Sequence, residues 1–142
     1  MSAASEAFID SNVLLDLVSA DARKADLAER LLAQGGVMSV QVLNEFASVA
    51  SRKFGMPWPE IREVLDVARG LCSIVPLGLD THDRALDLLQ RHSLSVYDAM
   101  IVSSALGAGC KTLWSEDLQH GKRFAAQLTV RNPFLASRPA GG

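Results

Sequence analysis

Four acidic residues stand at positions where packing alone gives no reason for a charge. Asp10 directly follows a short apolar run, and Asp117 comes three residues after another. Glu45 and Asp98 lie between them in segments of helical periodicity. Carboxylates that gather in one cleft repel one another unless a cation offsets their charge. The sequence therefore predicts a divalent-metal site, with Asp10, Asp98 and Asp117 as ligands and Glu45 completing the pocket or orienting a water.

Two of these acids also have a structural interpretation as helix caps. Asp10 precedes a helical segment and could be its N-cap, but Ser11 and Asn12 are available for that role. Asp98 follows Ser95 by three residues, which approximates a capping box. A carboxylate in the first turn can serve the helix dipole and still face the mouth of a sheet. The two roles of Asp98 are therefore compatible.

The other two acids depend more on their surroundings. Glu45 lies in the middle of a helical segment, where a lone glutamate is usually just solvated. Asp117 has Glu116 beside it, and either acid could point into a cleft. Ser115 precedes both, and its hydroxyl could hold Asp117 or a metal-bound water. The Ser-x-Asp pattern after a buried strand favours Asp117 over Glu116.

The composition fits one domain. The 142 residues, 49% of them hydrophobic, can bury one sizeable core. We expect a single domain over 1–142, with the core at about 7–134 and a flexible tail at 135–142. The formal net charge of -2 means that any RNA contact must come from a local basic patch. Lys122 and Arg123, which follow the fourth acid, are candidates for substrate phosphates, although ordinary solvation explains them equally well.

No membrane or disulfide role is expected. No apolar stretch approaches the roughly 20 residues that span a bilayer, and the first residues lack a basic segment before an apolar one. Cys72 and Cys110 have neither paired spacing nor flanking histidines. They are interpreted as buried, reduced thiols. The sequence thus predicts a cytoplasmic protein.

Short apolar runs alternate with longer segments of helical periodicity. Strands are predicted at Ala7–Ile9, Val37–Ser39, Ile74–Val75, Lys111–Trp114 and Leu128–Val130, and helices at Asn12–Ser19, around Leu27–Leu32, at Gln41–Lys53 and Ile61–Leu71, from an N-cap at Asp80 to about His92, and from Ser95 to Leu106. This alternation indicates a parallel sheet covered by helices on both faces. Ligands bind such sheets beyond the carboxyl ends of the strands, where the strand order reverses. Asp10 and Asp117 follow two such ends.

With the four acids in this order, the chain resembles the PIN domain, a metal-dependent nuclease fold, and most closely the VapC-type ribonuclease toxins of bacterial toxin–antitoxin pairs. The similar segments are Phe8–Leu15 (FIDSNVLL), with the family's opening Asp-x-Asn, Val42–Phe46 (VLNEF), Leu94–Ile101 (LSVYDAMI), Leu113–Leu118 (LWSEDL) and Val130–Phe134 (VRNPF). Ser115 stands where the family often has threonine, which preserves the hydroxyl. The resemblance covers nearly the whole chain, and no essential acid is missing.

The resemblance implies a three-layer α/β/α fold with a mostly parallel five-stranded sheet of order 3-2-1-4-5. It implies cleavage of single-stranded RNA with Mg²⁺ or Mn²⁺, leaving a 3′-hydroxyl and a 5′-phosphate. Asn12 would bond an acid or the substrate and hold the first turn in place. The expected partners are a second copy of the chain and a small antitoxin whose C-terminal segment covers the acidic cleft. An arginine inserted by that segment would displace or neutralise the metal.

Several alternatives are distinguishable. A PIN-like nuclease that processes RNA without a toxin role has the same acids, and a PIN-like domain that only binds RNA or protein would not need them intact. A haloacid-dehalogenase-like phosphatase needs a second aspartate two residues after the first, where this chain has Asn12. A receiver domain would need adjacent acids after the first strand, an aspartate after the third and a lysine after the fifth. Pro76-Leu77 and Arg131-Asn132 do not supply the last two.

Overall fold

Six short strands form one sheet at the centre of the computed structural model, which describes residues 7–136. The strands are β1 (Ala7–Ile9), β2 (Val37–Ser39), β3 (Ser73–Val75), β4 (Thr112–Trp114), β5 (Arg123–Phe124) and β6 (Leu128–Arg131). Their order is β3-β2-β1-β4-β6-β5, and every neighbouring pair is parallel except β5 and β6. The predicted fold class is confirmed, and the predicted fifth strand is β6.

The described part of the chain has seven helices, of which the first six connect strands and the seventh follows β6. They are α1 (Ser11–Asp16), α2 (Ala22–Ala33), α3 (Val40–Phe54), α4 (Trp58–Leu71), α5 (Leu79–Arg91), α6 (Val96–Gly107) and α7 (Pro133–Ala136). From β1 to β3 the chain steps one way across the sheet, and from β3 to β4 it returns past β1. Because such crossovers are right-handed, α1 to α4 cover one face and α5 and α6 the other. Accordingly, α1 packs on α2 and α3, and α5 packs on α6.

The order of the strands reverses between β1 and β4. These strands are paired in parallel with Phe8 opposite Leu113 and Ile9 opposite Trp114. Phe8 and Leu113 are completely buried, as expected for central strands with helices on both faces. The register brings the residues that follow Ile9 and Trp114 to the same edge of the sheet.

The predicted helices and strands agree with the structure except at some of their ends. The prediction of Asp80 as an N-cap was wrong, because α5 begins at Leu79 and its N-cap is Gly78. The hydroxyl of Thr81 accepts a hydrogen bond from the Gly78 N–H at 3.2 Å, and this bond stabilises the first turn of the helix. Asp80 lies within that turn, where its negative charge favours the helix dipole. Residues 137–142 of the predicted tail lie outside the described residues.

The short edge strand β5 was not predicted, and its turn explains why. Ala125 and Ala126, between β5 and β6, both have φ of 53°, and the Gln127 N–H bonds the Phe124 carbonyl at 3.1 Å. Two consecutive left-handed residues are typical of a type I′ turn, which usually carries Asn-Gly. Alanine gives no such signal, because its Cβ makes this conformation unfavourable.

The core continues from the sheet into both helical layers. It includes Phe46 of α3, Ile61 of α4 and Ile101 of α6, each nearly inaccessible to solvent. Cys72 and Cys110 are buried thiols, as predicted, and burial raises the pKa of each to about 11. No helix within residues 7–136 combines the length and apolar character that crossing a bilayer requires.

The β5–β6 turn stores backbone strain that a better turn sequence would remove. Replacing Ala125 with Asn and Ala126 with Gly should raise the free energy of unfolding by about 1 kcal/mol, measured by urea denaturation. Ala25→Gly within α2 is the control, and it should lower that free energy by about 0.5–1 kcal/mol. A double variant less stable than the parent would contradict the strained turn.

Candidate active site

Asp10 lies at the carboxyl end of β1 and is only 3% exposed. Its backbone N–H extends the pairing with β4 by donating to the Trp114 carbonyl at 3.0 Å. Its Oδ1 accepts a hydrogen bond from the Ser11 N–H at 2.7 Å, which makes Asp10 the N-cap of α1. The expectation that Ser11 and Asn12 would take the cap was wrong, because α1 begins at Ser11. Asp10 therefore both caps the helix and faces the edge of the sheet.

Ser115 connects two of the predicted acids. Its hydroxyl donates to Oδ2 of Asp10 at 2.9 Å, joining residues 105 positions apart. The same oxygen accepts from the Asp117 N–H at 3.2 Å, with the Leu118 N–H at 3.4 Å. Ser115 is completely buried, so its bond to Asp10 is shielded from water. Ser115 was predicted to support the acids, and it contacts the side chain of Asp10 and the backbone of Asp117.

Glu45 is held by two donors that the sequence analysis missed. The Ser11 hydroxyl donates to Oε2 of Glu45 at 2.7 Å and lies 3.4 Å from Oδ1 of Asp10. The Gln41 side-chain amide donates to Oε1 of Glu45 at 2.7 Å and to the Tyr97 carbonyl at 3.0 Å. Gln41 thus ties α3 to the first turn of α6. Its spacing of four residues from Glu45 was the one signal available in the sequence, since such pairs meet on a helix face.

Asp98 lies in the first turn of α6, as predicted. Ser95 is the N-cap, and its hydroxyl accepts from the Asp98 N–H at 3.1 Å. Burial raises the pKa of the Asp98 carboxyl, and the charge of Asp117 adds to that shift. The hydrogen bond with Ser95 lowers it, and Glu45 raises it slightly. The capping role and a place among the other acids therefore coexist.

The Asp10 carboxyl has a strongly raised pKa. Burial raises it from the ordinary 3.8 to about 6. The hydrogen bonds from Ser115 and Ser11 oppose this shift. The negative charges of Glu45 and Asp117 reinforce it. Acids from two other segments of the chain are thus close enough to disfavour the ionisation of Asp10.

Glu116 and Asp117 have different neighbours. The Glu116 carboxyl is hydrogen-bonded to Asp16 of α1, and burial together with Asp16 raises the pKa of Glu116 to about 8. Asp117 is exposed and acts electrostatically on both Asp10 and Asp98. The geometry favours Asp117 as the acid of the cleft, as the Ser-x-Asp pattern indicated.

Asn12 holds the loop after β4, not an acid side chain. Its Oδ1 accepts from the Glu116 N–H at 3.2 Å. Its Nδ2 is buried and has no hydrogen-bond partner among residues 7–136. One donor of the predicted supporting residue is therefore available near the acids.

The two predicted phosphate-binding residues differ in position. Lys122 lines a cavity of about 500 Å³ that also borders Asp98 and Asp117. Arg123 begins β5, and its Nη2 donates to the Ala126 carbonyl at 3.0 Å. The structure places only Lys122 beside the acids.

The acids do not form a complete metal site by themselves in the described part of the chain. Within residues 7–136, no group of three or more His, Cys, Asp or Glu side chains is arranged so that it could hold a metal ion. The available donors are carboxylate oxygens, which Mg²⁺ and Mn²⁺ prefer. Because Mg²⁺ retains several waters, it can be bound by a few acids directly or through water. A cation bound beside Asp10 would favour its ionised form and so lower its raised pKa.

Comparison with known proteins extends these observations. The family model described as the PIN domain matches residues 7–124. No curated protein sequence matches the chain.

Solved structures of similar fold include a bacterial toxin and toxin–antitoxin complexes. VapC20 from Mycobacterium tuberculosis, described as a sarcin-ricin loop cleaving toxin, is 21% identical with a TM-score of 0.61, covering 78% of this chain and 91% of that one. A toxin–antitoxin complex from Klebsiella pneumoniae is 23% identical with a TM-score of 0.65, covering 89% and 97%. VapBC2 from Rickettsia felis, bound to a DNA fragment from its promoter, is 19% identical with a TM-score of 0.65, covering 89% and 97%. At these identities the likeness concerns the fold.

The burial of Asp10 predicts a stability that depends on pH. Because its folded-state pKa of about 6 exceeds the ordinary 3.8, the stabilising contribution of protonated Asp10 is complete below pH 3.8 and is lost as the pH rises through 6. Asp10→Asn, which is permanently neutral, should therefore raise the free energy of unfolding at pH 7.5 in EDTA by up to about 3 kcal/mol. Urea denaturation at pH 7.5 and pH 4 measures this difference, which should shrink at pH 4.

Adding Mg²⁺ to the parent protein and to Asp10→Asn provides the control. The cation should stabilise the parent and have little effect on Asp10→Asn, because the substitution removes a charged ligand. If Asp10→Asn is less stable than the parent in EDTA at pH 7.5, the claim that the buried charge of Asp10 destabilises the fold is contradicted.

Proposed function

The chain belongs to the PIN domain family, and we propose that it is a divalent-metal-dependent endoribonuclease acting as the toxin of a toxin–antitoxin pair. The observation that carries the proposal is that the charges of Glu45 and Asp117 act on two further acids, Asp10 and Asp98, and raise the pKa of each. A buried carboxylate surrounded by like charge is unfavourable for folding and suits a cation site. Its place at the reversal of strand order is where α/β folds bind ligands.

Asp10, Asp98 and Asp117 would hold Mg²⁺ or Mn²⁺ directly or through water. Ser115 fixes Asp10 through its hydroxyl and the Asp117 segment through the backbone. These bonds hold the Asp10 carboxylate and the Asp117 backbone in place before a ligand arrives, which reduces the reorganisation needed on binding. When bound, the ion supplies a more acidic water and positive charge against the phosphate.

Glu45 is suited to orienting the attacking water. Both of its oxygens accept hydrogen bonds, from Ser11 and from Gln41. These bonds fix the orientation of the carboxylate, and its remaining lone pairs can accept from a water. The nucleophile would then meet the phosphodiester from a defined direction, releasing a 3′-hydroxyl and a 5′-phosphate.

A toxin role and its partners follow from the kind of proteins that share the fold. The similar structures include toxin–antitoxin complexes from Klebsiella pneumoniae and Rickettsia felis. By this likeness we propose an antitoxin that covers the acidic cleft and a second copy of the chain as a homodimer partner. An antitoxin arginine could neutralise the acids, since guanidinium pairs with carboxylates in a bidentate manner.

A PIN nuclease that processes RNA without a toxin role is the second candidate. It shares the acids, so only the biological effect separates the two: expression without the neighbouring antitoxin gene should arrest growth for a toxin and not for a processing enzyme. A phosphatase of the haloacid-dehalogenase type is not favoured, because Asn12 occupies the required second aspartate position and bonds the Glu116 N–H.

The adjacent acids Glu116 and Asp117 allow a sharp test of the site. Asp117→Asn and Asp98→Asn should each slow Mn²⁺-dependent cleavage of a single-stranded RNA by at least about 100-fold, because each removes a proposed ligand. Gel electrophoresis of end-labelled RNA, with EDTA as a blank, measures the rate.

Glu116→Gln is the matched control. Glu116 faces Asp16, and its raised pKa leaves it mostly protonated at neutral pH, so glutamine closely imitates it. Its cleavage rate should stay near that of the parent. Equal losses in Glu116→Gln and Asp117→Asn, or cleavage that persists in EDTA, would contradict the proposed site.

A further inference from the structure

The cavity that Asp98 and Asp117 border is also lined by cations. It measures about 500 Å³ and lies between the C-terminal end of α5 and the loop that follows β4. Besides the two acids, its lining includes Arg91 and Lys122. Arg91 is the last residue of α5, and neither it nor His92 was singled out in the sequence.

The two cations are available to a ligand in different ways. Arg91 is exposed and offers the five donors of a guanidinium. Lys122 is half-buried, with its Nζ 5.7 Å from the centroid of the Phe124 ring. Packing against the ring fixes the lysine without using its hydrogen-bond donors. Both groups suit a phosphate, to which Arg and Lys are the usual protein donors.

Two aromatic rings line the same cavity. The His92 ring meets the Phe124 ring edge-on, with centroids 4.9 Å apart and an interplanar angle of 76°. Phe124 is buried and holds the half-buried imidazole in a fixed position. A flat ring held in this way is a surface on which a nucleobase can stack.

We propose that this cavity binds one nucleotide of a single-stranded RNA next to the scissile phosphate, with Arg91 and Lys122 on a neighbouring phosphate and His92 against the base. This proposal rests on the proposed nuclease function, because the acids define where the scissile phosphate lies. Cations and an aromatic ring that line one cavity are the combination by which proteins bind single-stranded nucleic acids. A compact cavity of this volume suits one splayed-out nucleotide better than a partner helix about 10–12 Å wide.

The test separates charge from stacking. Binding of a fluorescein-labelled single-stranded RNA is measured by anisotropy in EDTA, so that cleavage does not interfere, over a series of salt concentrations. Arg91→Ala and Lys122→Ala should each weaken binding several-fold and reduce the slope of log K against log salt by about 0.7, the value for one lost phosphate contact on a single strand. His92→Ala should weaken binding without changing the slope, and His92→Phe should restore it.

Matched control variants come from other surfaces. Arg69 also lies in the last turn of a helix, α4, and Lys53 lies on α3 eight residues beyond Glu45, roughly 12 Å further along the axis. Arg69→Ala and Lys53→Ala should leave the affinity and the salt slope as in the parent. Equal effects in these controls would mean that general surface charge, not the cavity, binds RNA.

The outcomes of this test and of the nuclease test are distinguishable. RNA binding that depends on Arg91, Lys122 and His92 without Mn²⁺-dependent cleavage would overturn the nuclease and keep the nucleotide site. Cleavage with unchanged affinity and salt slope in Arg91→Ala and Lys122→Ala would overturn the nucleotide site and keep the nuclease. The site is also overturned if these variants bind RNA like the parent and lose affinity only for a polyglutamate peptide, since the cavity would then take an acidic protein segment.

Discussion

The burial of Asp10 among other acids is the constraint on which the site depends. A carboxylate that is 3% exposed loses most of its hydration, and the charges of Glu45 and Asp117 add repulsion. Hydrogen bonds from Ser115 and Ser11 act in the opposite direction, but burial is the larger effect and the pKa rises to about 6. Such an arrangement is unfavourable for the isolated fold, and a bound cation would make it favourable. The proposed metal site therefore accounts for a feature that stability alone does not.

Small neutral donors hold the carboxylates of Asp10 and Glu45 in the described part of the chain. Ser11 joins the end of β1 to Glu45 across 34 residues, and Gln41 joins Glu45 to the start of α6. Neutral donors fix the orientation of a carboxylate and leave its negative charge in place, whereas an arginine or lysine would offset that charge. Two cations, Arg91 and Lys122, line the cavity that Asp98 and Asp117 also border. In the proposed function the uncompensated negative charge would serve a metal and the two cations would serve phosphates.

The sequence predicted features that depend on local pattern and missed those that depend on distant contacts. The central strands and the cap at Ser95 follow from periodicity and residue type, and the structure agrees. The order of the sheet came from the family resemblance, and the structure agrees for the five predicted strands. Gln41 and Ser11 were missed because a polar side chain near a helix start looks solvated until its partner is known. The edge strand β5 was missed because its turn uses alanines in a conformation that glycine or asparagine normally adopts. Arg91 and His92 gave no signal, because only the packing of α5 against the loop after β4 brings them to the acids.

The central claim is that Asp10, Asp98 and Asp117 surround a divalent cation. Anomalous scattering from a crystal soaked in Mn²⁺ tests it most directly, because it locates the ion without reference to activity. We expect one strong peak within coordination distance, directly or through water, of the Asp10 and Asp117 carboxylates, and its absence in a crystal of Asp10→Asn. A peak elsewhere on the protein, or none among these acids at saturating Mn²⁺, would contradict the account.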